Sequence, residues 1–257
     1  MGSQTKSAAQ TVVRKIYRRL HRALGPQHWW PAESPFEVIV GAILTQNTSW
    51  TNVERALAKL REANALNVEG IRSLPLAELE QLVRSSGYFR QKAERLKRFV
   101  DFLDERYGGS LAAMFATPTE QLRAELLALK GVGPETADSI LLYGGGHEIF
   151  VVDAYTRRIF ERHALIDTRT TYDELRTLVE GALDREPSVK PTIHTAARST
   201  DLVIHEPSPM SRSQRSPLSQ TYNEMHGLLV QIGKHYCLKQ EPRCEVCPLR
   251  SFLPTAI

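Results

Sequence analysis

Apolar residues recur at steps of three and four along most of this chain, and that spacing is typical of helices that bury one face. Residues 149–152 alone suggest a strand, and one strand of four residues cannot form a sheet. The sequence therefore predicts an all-α fold. Helices are expected over 76–87, 93–103, 119–129 and 135–143, with a glycine as the C-terminal cap of the first.

The composition indicates a soluble globular chain, because 42% of the 257 residues are hydrophobic and 24% are charged. A collagen-like, wholly disordered or membrane-embedded chain is excluded, since no stretch approaches about 18 uninterrupted apolar residues. The basic, amphipathic start lacks the apolar core of a signal peptide, so we expect a cytoplasmic protein. A net charge of +4 is compatible with a polyanionic partner but does not identify one.

Residues 186–219 differ from the rest of the chain, since they are rich in proline and serine and have no sustained apolar period. Such a segment buries too little apolar surface to offset its ordering entropy. We therefore expect a long surface loop or a disordered insertion there. Helical character returns at Tyr222 and runs to about Tyr236.

The segment LKGVGPETADSILLY places Gly131, Val132 and Gly133 between two helical runs. The two glycines predict a tight turn whose backbone angles a Cβ would oppose, followed by the exposed N–H groups of a new helix. Such a turn binds anions; a plain connection between helices is the alternative. Further along, Asp153 follows a short apolar run and precedes a helical segment, so it is predicted to cap a helix whose dipole favours the ionised carboxylate.

Together these motifs resemble the HhH-GPD superfamily of base excision DNA glycosylases, typified by endonuclease III. The pattern L-x-G-V-G-x-x-T-A matches its helix-hairpin-helix, and Asp153 lies 18 residues after Glu135, where the family has an aspartate. SPFEVIVGAILTQNTSW resembles the family's early helix and glutamine-bearing loop, and SGYFRQKAERL resembles its wedge loop and following helix. The resemblance covers most of residues 29–165 and resumes at about 221–250.

The resemblance implies two helical lobes with a DNA-binding cleft between them, lined by the hairpin and Asp153. A central helical barrel of about 34–145 would carry the hairpin. Residues 1–33 and 146–257 would form the second lobe, including a cysteine loop at 237–253. The implied partner is double-stranded DNA with a damaged base, and the implied state is a monomer.

The implied activity is flipping of the damaged base and hydrolysis of its N-glycosidic bond. Asp153 would stabilise positive charge on the deoxyribose and orient or deprotonate the attacking water. Lyase members use a Schiff-base lysine at the position of Glu135, and a carboxylate cannot form an imine, so we expect a monofunctional enzyme. A glycosylase/AP lyase for oxidised pyrimidines or mismatches, and a non-catalytic DNA-binding protein, are the alternatives.

The same resemblance assigns DNA contacts. Gln46 would fill the space that the flipped base vacates and Tyr88 would wedge the opposite strand; a helix-capping glutamine and a core aromatic are the alternatives. The hairpin and Lys130 would contact phosphates, although Lys130 is equally explained as a solvated residue. Four basic residues alternate with an apolar stripe and are expected to form a solvated face from which some meet phosphates: Lys92, Arg95, Lys97 and Arg98.

The substrate is suggested by tryptophans. Trp29, Trp30 and Pro31, with Trp50, resemble the branch that includes the third type of 3-methyladenine glycosylase, in which such aromatics stack on the extruded base. An indole wall would favour a cationic alkylated purine. Core packing is the alternative explanation for these side chains.

Three cysteines follow the spacing C-x6-C-x2-C: Cys237, Cys244 and Cys247. The family pattern continues with x5-C and ligates a [4Fe–4S] cluster, but here the fourth position is Leu253. The alternatives are zinc held by three thiolates and a histidine such as His235, or three reduced cysteines without metal. A cluster would fix a basic loop that includes Arg243 and Arg250.

Overall fold

The computed structural model describes residues 3–184 and 206–254, and within them it contains twelve α-helices and no strand, which confirms the all-α prediction. The helices are α1 Ser3–Leu24, α2 Pro35–Leu44, α3 Trp50–Glu62, α4 Val68–Ser73, α5 Leu76–Leu82, α6 Phe89–Tyr107, α7 Leu111–Phe115, α8 Thr119–Ala128, α9 Pro134–Ser139, α10 Ala154–Arg162, α11 Tyr172–Leu183 and α12 Pro217–His235. Shorter turns of 3₁₀ helix lie at Arg84–Ser86, Cys244–Val246 and Arg250–Phe252, and a π turn at Ile140–Gly144 extends α9.

The four helices expected from periodicity are present, with small differences. The first ends at Leu82 and continues as a 3₁₀ turn to Gly87, whose φ of +68° suits a glycine. Residues 149–152 are buried, but they form neither a strand nor a helix. The predicted insertion is shorter than expected at its C-terminal side, since α12 begins at Pro217 rather than Tyr222.

Of the predicted insertion, residues 206–216 lie in the described part of the chain and the segment 186–205 lies outside it. In the described part, Ser208 donates a hydrogen bond to the backbone oxygen of Trp30, 3.2 Å away. Ser216 then caps α12 by accepting the N–H of Ser219. The end of this polar segment is thus ordered by side-chain hydrogen bonds, which apolar periodicity does not reveal.

The chain divides into two compact units. The middle unit is Ala32–His147, and the terminal unit combines Met1–Pro31 with Glu148–Ile257. The sequence-based proposal was 34–145 for the first and 1–33 with 146–257 for the second.

The middle unit is built around α2. The helix begins at Ser34, whose hydroxyl accepts the N–H of Glu37, and all its residues from Phe36 to Leu44 are buried. A helix that is apolar on every side must be enclosed by others, and here α3, α6 and α9 pack on it. The two helices that flank the hairpin are joined by a buried ion pair, in which Arg123 Nε lies 2.7 Å from Asp138 Oδ1.

The terminal unit has α12 as its most buried helix, packed against α1, α10 and α11. The approach of α10 is close because of Gly233, where an added Cβ would lie 2.2 Å from the Tyr155 ring. This close contact sets the position of Asp153, the residue that begins α10. In the described ranges, no helix is both long and apolar enough to cross a membrane.

Candidate active site

The predicted hairpin is a tight turn between α8 and α9, but its two glycines differ. Gly131 has a φ of +93°, and a Cβ there would lie 2.3 Å from Arg95 Nε, so this position requires glycine. Gly133 has a φ of −98° and open space around it, so the expectation that it also needs glycine is wrong. Val132 is buried and anchors the turn, while Lys130 and Glu135 are exposed beside it.

Gln46 is bonded to this hairpin. Its Nε2 donates to the backbone oxygen of Gly131 at 3.1 Å and to Thr136 Oγ1 at 2.9 Å, and its Oε1 accepts from Arg95 Nη1. The side chain therefore links the loop after α2 to the hairpin instead of capping a helix. To enter a gap in DNA, it would have to exchange these three hydrogen bonds for new ones.

Tyr88 is exposed, which contradicts its alternative interpretation as a core aromatic. The residue is 66% exposed, has a φ of +46° and lies immediately before α6 as its N-cap. An exposed large aromatic held at a helix start suits a wedge, and that role stays a prediction.

The expectation that the basic residues of α6 form a solvated face is wrong for Lys92 and holds only in part for the other three, which are partly exposed. Lys92 is 1% exposed, and its Nζ donates to the carbonyl oxygens of Leu44 at 2.9 Å and Ser86 at 2.6 Å. Lys97 Nζ donates to three carbonyls at the end of α4, those of residues 71, 72 and 74. Arg98 Nη1 donates to the carbonyl of Lys130. Carbonyls at helix ends lack intrahelical donors, and these cations supply them.

Asp153 is the N-cap of α10, as predicted from the sequence. Its Oδ1 accepts the N–H of Thr156 at 2.7 Å, and its side chain is 11% exposed. The second oxygen, Oδ2, lies 4.0 Å from Nε2 of His226 on α12. Asp153 thus has one oxygen fixed by the cap and one facing an imidazole.

His226 is a residue of the candidate site that no sequence motif indicates. The ring is buried, and Nδ1 lies 3.1 Å from the carbonyl oxygen of Val151. Since a carbonyl can accept but not donate, Nδ1 carries the hydrogen, and the neutral ring presents an unprotonated Nε2 to Asp153. Burial lowers the pKa of His226, while the charge of Asp153 and the Val151 bond act in the opposite direction.

Of the predicted base-pocket residues, the structure brings two together with Asp153, through His226. The ring centroid of Trp29 lies 5.8 Å from that of His226 and 5.6 Å from that of Trp30, and both indoles are more than nine-tenths buried. Pro31 follows them and is partly exposed. Trp50 belongs to the middle unit, where its Nε1 donates to Glu54.

The three cysteines and Leu253 line one cavity of about 20 Å³ in the terminal unit, together with His163. Cys237 Sγ accepts from Arg162 at 3.3 Å, and burial raises the pKa of Cys247. No three His, Cys, Asp or Glu side chains in the described ranges are arranged to hold a metal ion. The set therefore does not fit a complete four-thiolate site, because Leu253 has no donor atom, and the [4Fe–4S] cluster stays a prediction. A larger cavity, of about 480 Å³, includes none of the predicted site residues.

Comparison with known proteins identifies the family. The model of the HhH-GPD superfamily of base excision DNA repair proteins matches residues 40–184. A protein of Methanocaldococcus jannaschii named as a DNA repair glycosylase is 40% identical over 94% of this chain and 95% of its own length. Endonuclease III of Thermotoga maritima is 28% identical over 84% of this chain and 81% of its own length.

Two solved structures share the fold. The 3-methyladenine DNA glycosylase MagIII of H. pylori, bound to 1,N6-ethenoadenine, has a TM-score of 0.66 at 28% identity, over 88% of this chain and 97% of that chain. An endonuclease III–DNA complex has a TM-score of 0.70 at 20% identity, over 95% and 94%. The chain belongs to the HhH-GPD superfamily of base excision DNA repair proteins, and its activity is that of a DNA glycosylase.

The buried amine of Lys92 makes folding stability depend on pH. Burial, and next the charge of Arg95, lower its pKa from 10.5 to about 8. Between these values the unfolded chain keeps a proton that the folded chain has released, so the free energy of unfolding rises with pH. Relative to Lys92→Met, the wild type should gain roughly 3 kcal/mol across this window, measured by urea unfolding on either side of it. Parallel pH profiles for the two proteins would contradict the shift.

Replacing Leu253 should complete the cysteine site. Leu253→Cys supplies a fourth thiol at the family spacing, in a cavity that the other three already line. The variant, purified without oxygen, is expected to contain more iron and sulfide per chain than the wild type and to show stronger visible absorption. Cys247→Ser in the same background should remove the gain. Equal iron content in wild type and Leu253→Cys would show that the missing thiol is not what limits the site.

Proposed function

We propose that this DNA glycosylase hydrolyses the N-glycosidic bond of alkylated purines, without cleaving the strand, and that Asp153 is its catalytic carboxylate. The observation that carries the proposal is the fixed geometry of Asp153. One of its oxygens is held by the N-terminus of α10, the other faces the imidazole of His226, and the side chain is nearly buried.

The chemistry requires a negative charge beside a sugar ring that becomes positive. As the bond between the base and C1′ breaks, its electron pair leaves with the base, and the carboxylate stabilises the cationic sugar. A water oxygen then bonds to C1′ and its proton passes to Asp153. An alkylated purine that already carries a positive charge leaves as a neutral base and needs no protonation by the enzyme.

His226 would receive the proton from Asp153. Its Nδ1–H is directed to Val151, so the unprotonated Nε2 is the atom that faces Asp153 Oδ2. Transfer to Nε2 would restore the carboxylate, and the resulting imidazolium would release the proton to solvent before the next turnover. His226 is therefore proposed as a residue that acts through Asp153 and does not touch the substrate.

Strand cleavage is not expected because no suitable amine is available at the matching position. Glu135 is an exposed carboxylate on α9, and it cannot form an imine. Lys92 has the lowered pKa of a nucleophilic lysine, but its amine is buried and hydrogen bonded to two carbonyls. A group so enclosed cannot reach C1′ of a nucleotide.

The proposed substrate class rests on the aromatic cluster next to Asp153 and His226. Trp29 packs on Trp30 and on His226, so electron-rich indoles lie in the same unit as the carboxylate, and because both are more than nine-tenths buried they would have to be uncovered to present a surface to a base. Such a surface attracts a cationic base by about 0.5–2 kcal/mol. The H. pylori relative in its solved complex binds a modified adenine, 1,N6-ethenoadenine, which agrees with a purine substrate.

DNA contacts are proposed for the middle unit. The turn at Gly131, Val132 and Gly133, in which both glycines are exposed and Val132 is buried, would bind backbone phosphates together with Lys130. Gln46 would enter the space left by the base, and the exposed ring of Tyr88 would wedge the duplex.

The activity can be tested with duplexes that carry an alkylated adenine, an oxidised pyrimidine, or a G·T or G·U mismatch, with products analysed before and after alkali. We expect base release from the alkylated duplex, with strand breaks only after alkali. Asp153→Asn should bind abasic DNA but release base at least about a hundredfold more slowly. Borohydride should trap no covalent adduct.

Each other outcome identifies an alternative. Breaks before alkali, or a trapped adduct, would show a lyase that uses another amine. Release from the oxidised or mismatched duplex alone would contradict the substrate class. No release from any duplex, with retained binding, would indicate the non-catalytic DNA-binding protein.

The role of His226 predicts a specific kinetic split. His226→Gln and His226→Asn should lower the multiple-turnover rate of base release at least about tenfold while single-turnover release and binding of abasic DNA stay near wild type. Glu224→Gln is the matched control, since Glu224 is a buried residue of the same helix that accepts the N–H of Gln27. Equal losses in release and in binding, or an equal effect of the control, would indicate a purely structural role for His226.

A further inference from the structure

We propose that Lys92 is a positioning residue for base flipping, because its ammonium group holds in place the two loops that carry Gln46 and Tyr88. The inference rests on the proposed function, in which these two side chains distort the DNA. It concerns a residue that the sequence pattern placed on a solvated face and that the structure places in the core of the middle unit.

The first observation is where the two hydrogen bonds end. Lys92 Nζ lies 2.9 Å from the carbonyl oxygen of Leu44, which is two residues before Gln46. It lies 2.6 Å from the carbonyl oxygen of Ser86, which is two residues before Tyr88. One buried cation therefore joins the end of α2 to the turn before α6. Each of the two carbonyl groups that it binds lies two residues before a predicted DNA-inserting side chain.

The second observation is that Lys92 holds the backbone of Tyr88 from both sides. Its own backbone N–H donates to the carbonyl of Tyr88 at 3.1 Å, while its side chain holds Ser86. Between these two bonds the ring of Tyr88 is exposed, on a residue whose φ of +46° requires support from its surroundings. An exposed side chain on a constrained backbone is suited to push against a base stack.

Arg95, one turn further along α6, adds to the same arrangement. It donates to Gln46 Oε1 and packs against Gly131. Helix α6 therefore holds the side chain of Gln46 through Arg95 and the backbone two residues earlier through Lys92. The loop that bears Gln46, the turn that bears Tyr88 and the hairpin are thus all bonded to one helix.

Rigidity of these loops bears directly on flipping. Extruding a nucleotide costs a few kcal/mol of stacking and pairing, which inserted side chains must offset. If the loop moves when it meets the duplex, the inserted side chain pushes less strongly on the base stack. Less of the cost of unstacking is then offset. A buried charge also costs stability, and here that cost falls on a residue whose two hydrogen bonds fix the positions of both loops.

Lys97 provides a matched control on the same helix. Its Nζ also donates to helix-end carbonyls, those of Ile71, Arg72 and Leu74, but these belong to the end of α4 and carry neither inserting side chain. Lys97→Met therefore removes a comparable set of bonds from the same unit. Any general effect of losing such bonds should appear equally in both variants.

The experiment compares Lys92→Met and Lys97→Met on three duplexes, in the full chain. A fully paired duplex with 2-aminopurine beside an alkylated adenine reports flipping by fluorescence and base release in a single turnover. A second duplex carries the same lesion in an unpaired bulge, where little unstacking remains to be done. A third contains an uncleavable abasic analogue and reports binding.

We expect Lys92→Met to slow both flipping and base release on the paired duplex at least about tenfold, with binding of the abasic duplex near wild type. On the bulged duplex its release rate should return to near wild type, and Lys97→Met should match wild type throughout. If Lys92→Met fails to fold, Lys92→Gln keeps an amide donor in the cavity and should show the same selective loss with a smaller magnitude.

Two results would overturn the inference. Equal losses in the Lys92 and Lys97 variants would show that both lysines are merely structural, and a loss that persists on the bulged duplex would place the defect after flipping. A wild type that flips the base but releases none would refute the proposed hydrolysis while leaving the role of Lys92 measurable by fluorescence. The failure of one proposal is thus distinguishable from the failure of the other.

Discussion

The carbonyl groups at the ends of short helices are the constraint on which the middle unit depends. Each helix leaves its last four carbonyls without an intrahelical donor, and a buried end must obtain donors from elsewhere. At α2 the donor is Lys92, and at α4 it is Lys97, both from α6. Because α2 is enclosed on all sides, water cannot easily replace these bonds. The predicted DNA-inserting residues follow such helix ends, so the same hydrogen bonds that complete the fold also determine where those residues project.

In the terminal unit, the groups that need hydrogen-bond partners are the N–H groups at the start of α10. Asp153 satisfies the N-terminus of α10 with one oxygen, and this bond restricts rotation of the carboxylate without occupying the other oxygen. The backbone just before Asp153 also contributes, because the carbonyl of Val151 accepts the Nδ1–H of His226 and so fixes the tautomer of that ring. A helix cap and a candidate catalytic group are therefore one residue, and the stability of α10 and the orientation of the carboxylate are not separable. This coupling explains why a capping role and a catalytic role for Asp153 do not exclude each other.

The sequence was sufficient for the helices with a clear apolar period, the hairpin, the cap at Asp153 and the family, because each depends on local spacing or on a contiguous motif. It did not predict α4, α7 and α11. It was insufficient for Lys92, although a signal exists: positions 92, 96, 99 and 103 form one stripe, and three of them are buried apolar residues. Because Lys92 is charged, it was expected to be solvated, although its place in this stripe indicates a buried position. His226 and the bonds of Gln46 had no comparable signal, since they depend on how α12 meets α10 and how the hairpin meets the loop after α2. The expectation that Gly133 needs glycine is wrong because the spacing of the motif does not reveal backbone angles: Gly131 has a φ of +93° and a close contact with Arg95, whereas Gly133 has a φ of −98° and open space around it.

The bonds of Gln46 also define what must change when DNA binds, if the proposed function is correct. Leaving the hairpin breaks its bonds to Gly131 and Thr136 and frees the guanidinium of Arg95, which then lies beside the turn proposed to bind phosphate. A phosphate arriving at that turn would attract Arg95 and thereby weaken one of the bonds that retain Gln46. Since Lys92 holds the backbone at Leu44, this exchange is confined to side chains and does not require the loop to unfold. Phosphate binding and insertion of Gln46 would in this way be linked through a single arginine, while Lys92, one turn earlier, would hold the backbone of both loops unchanged.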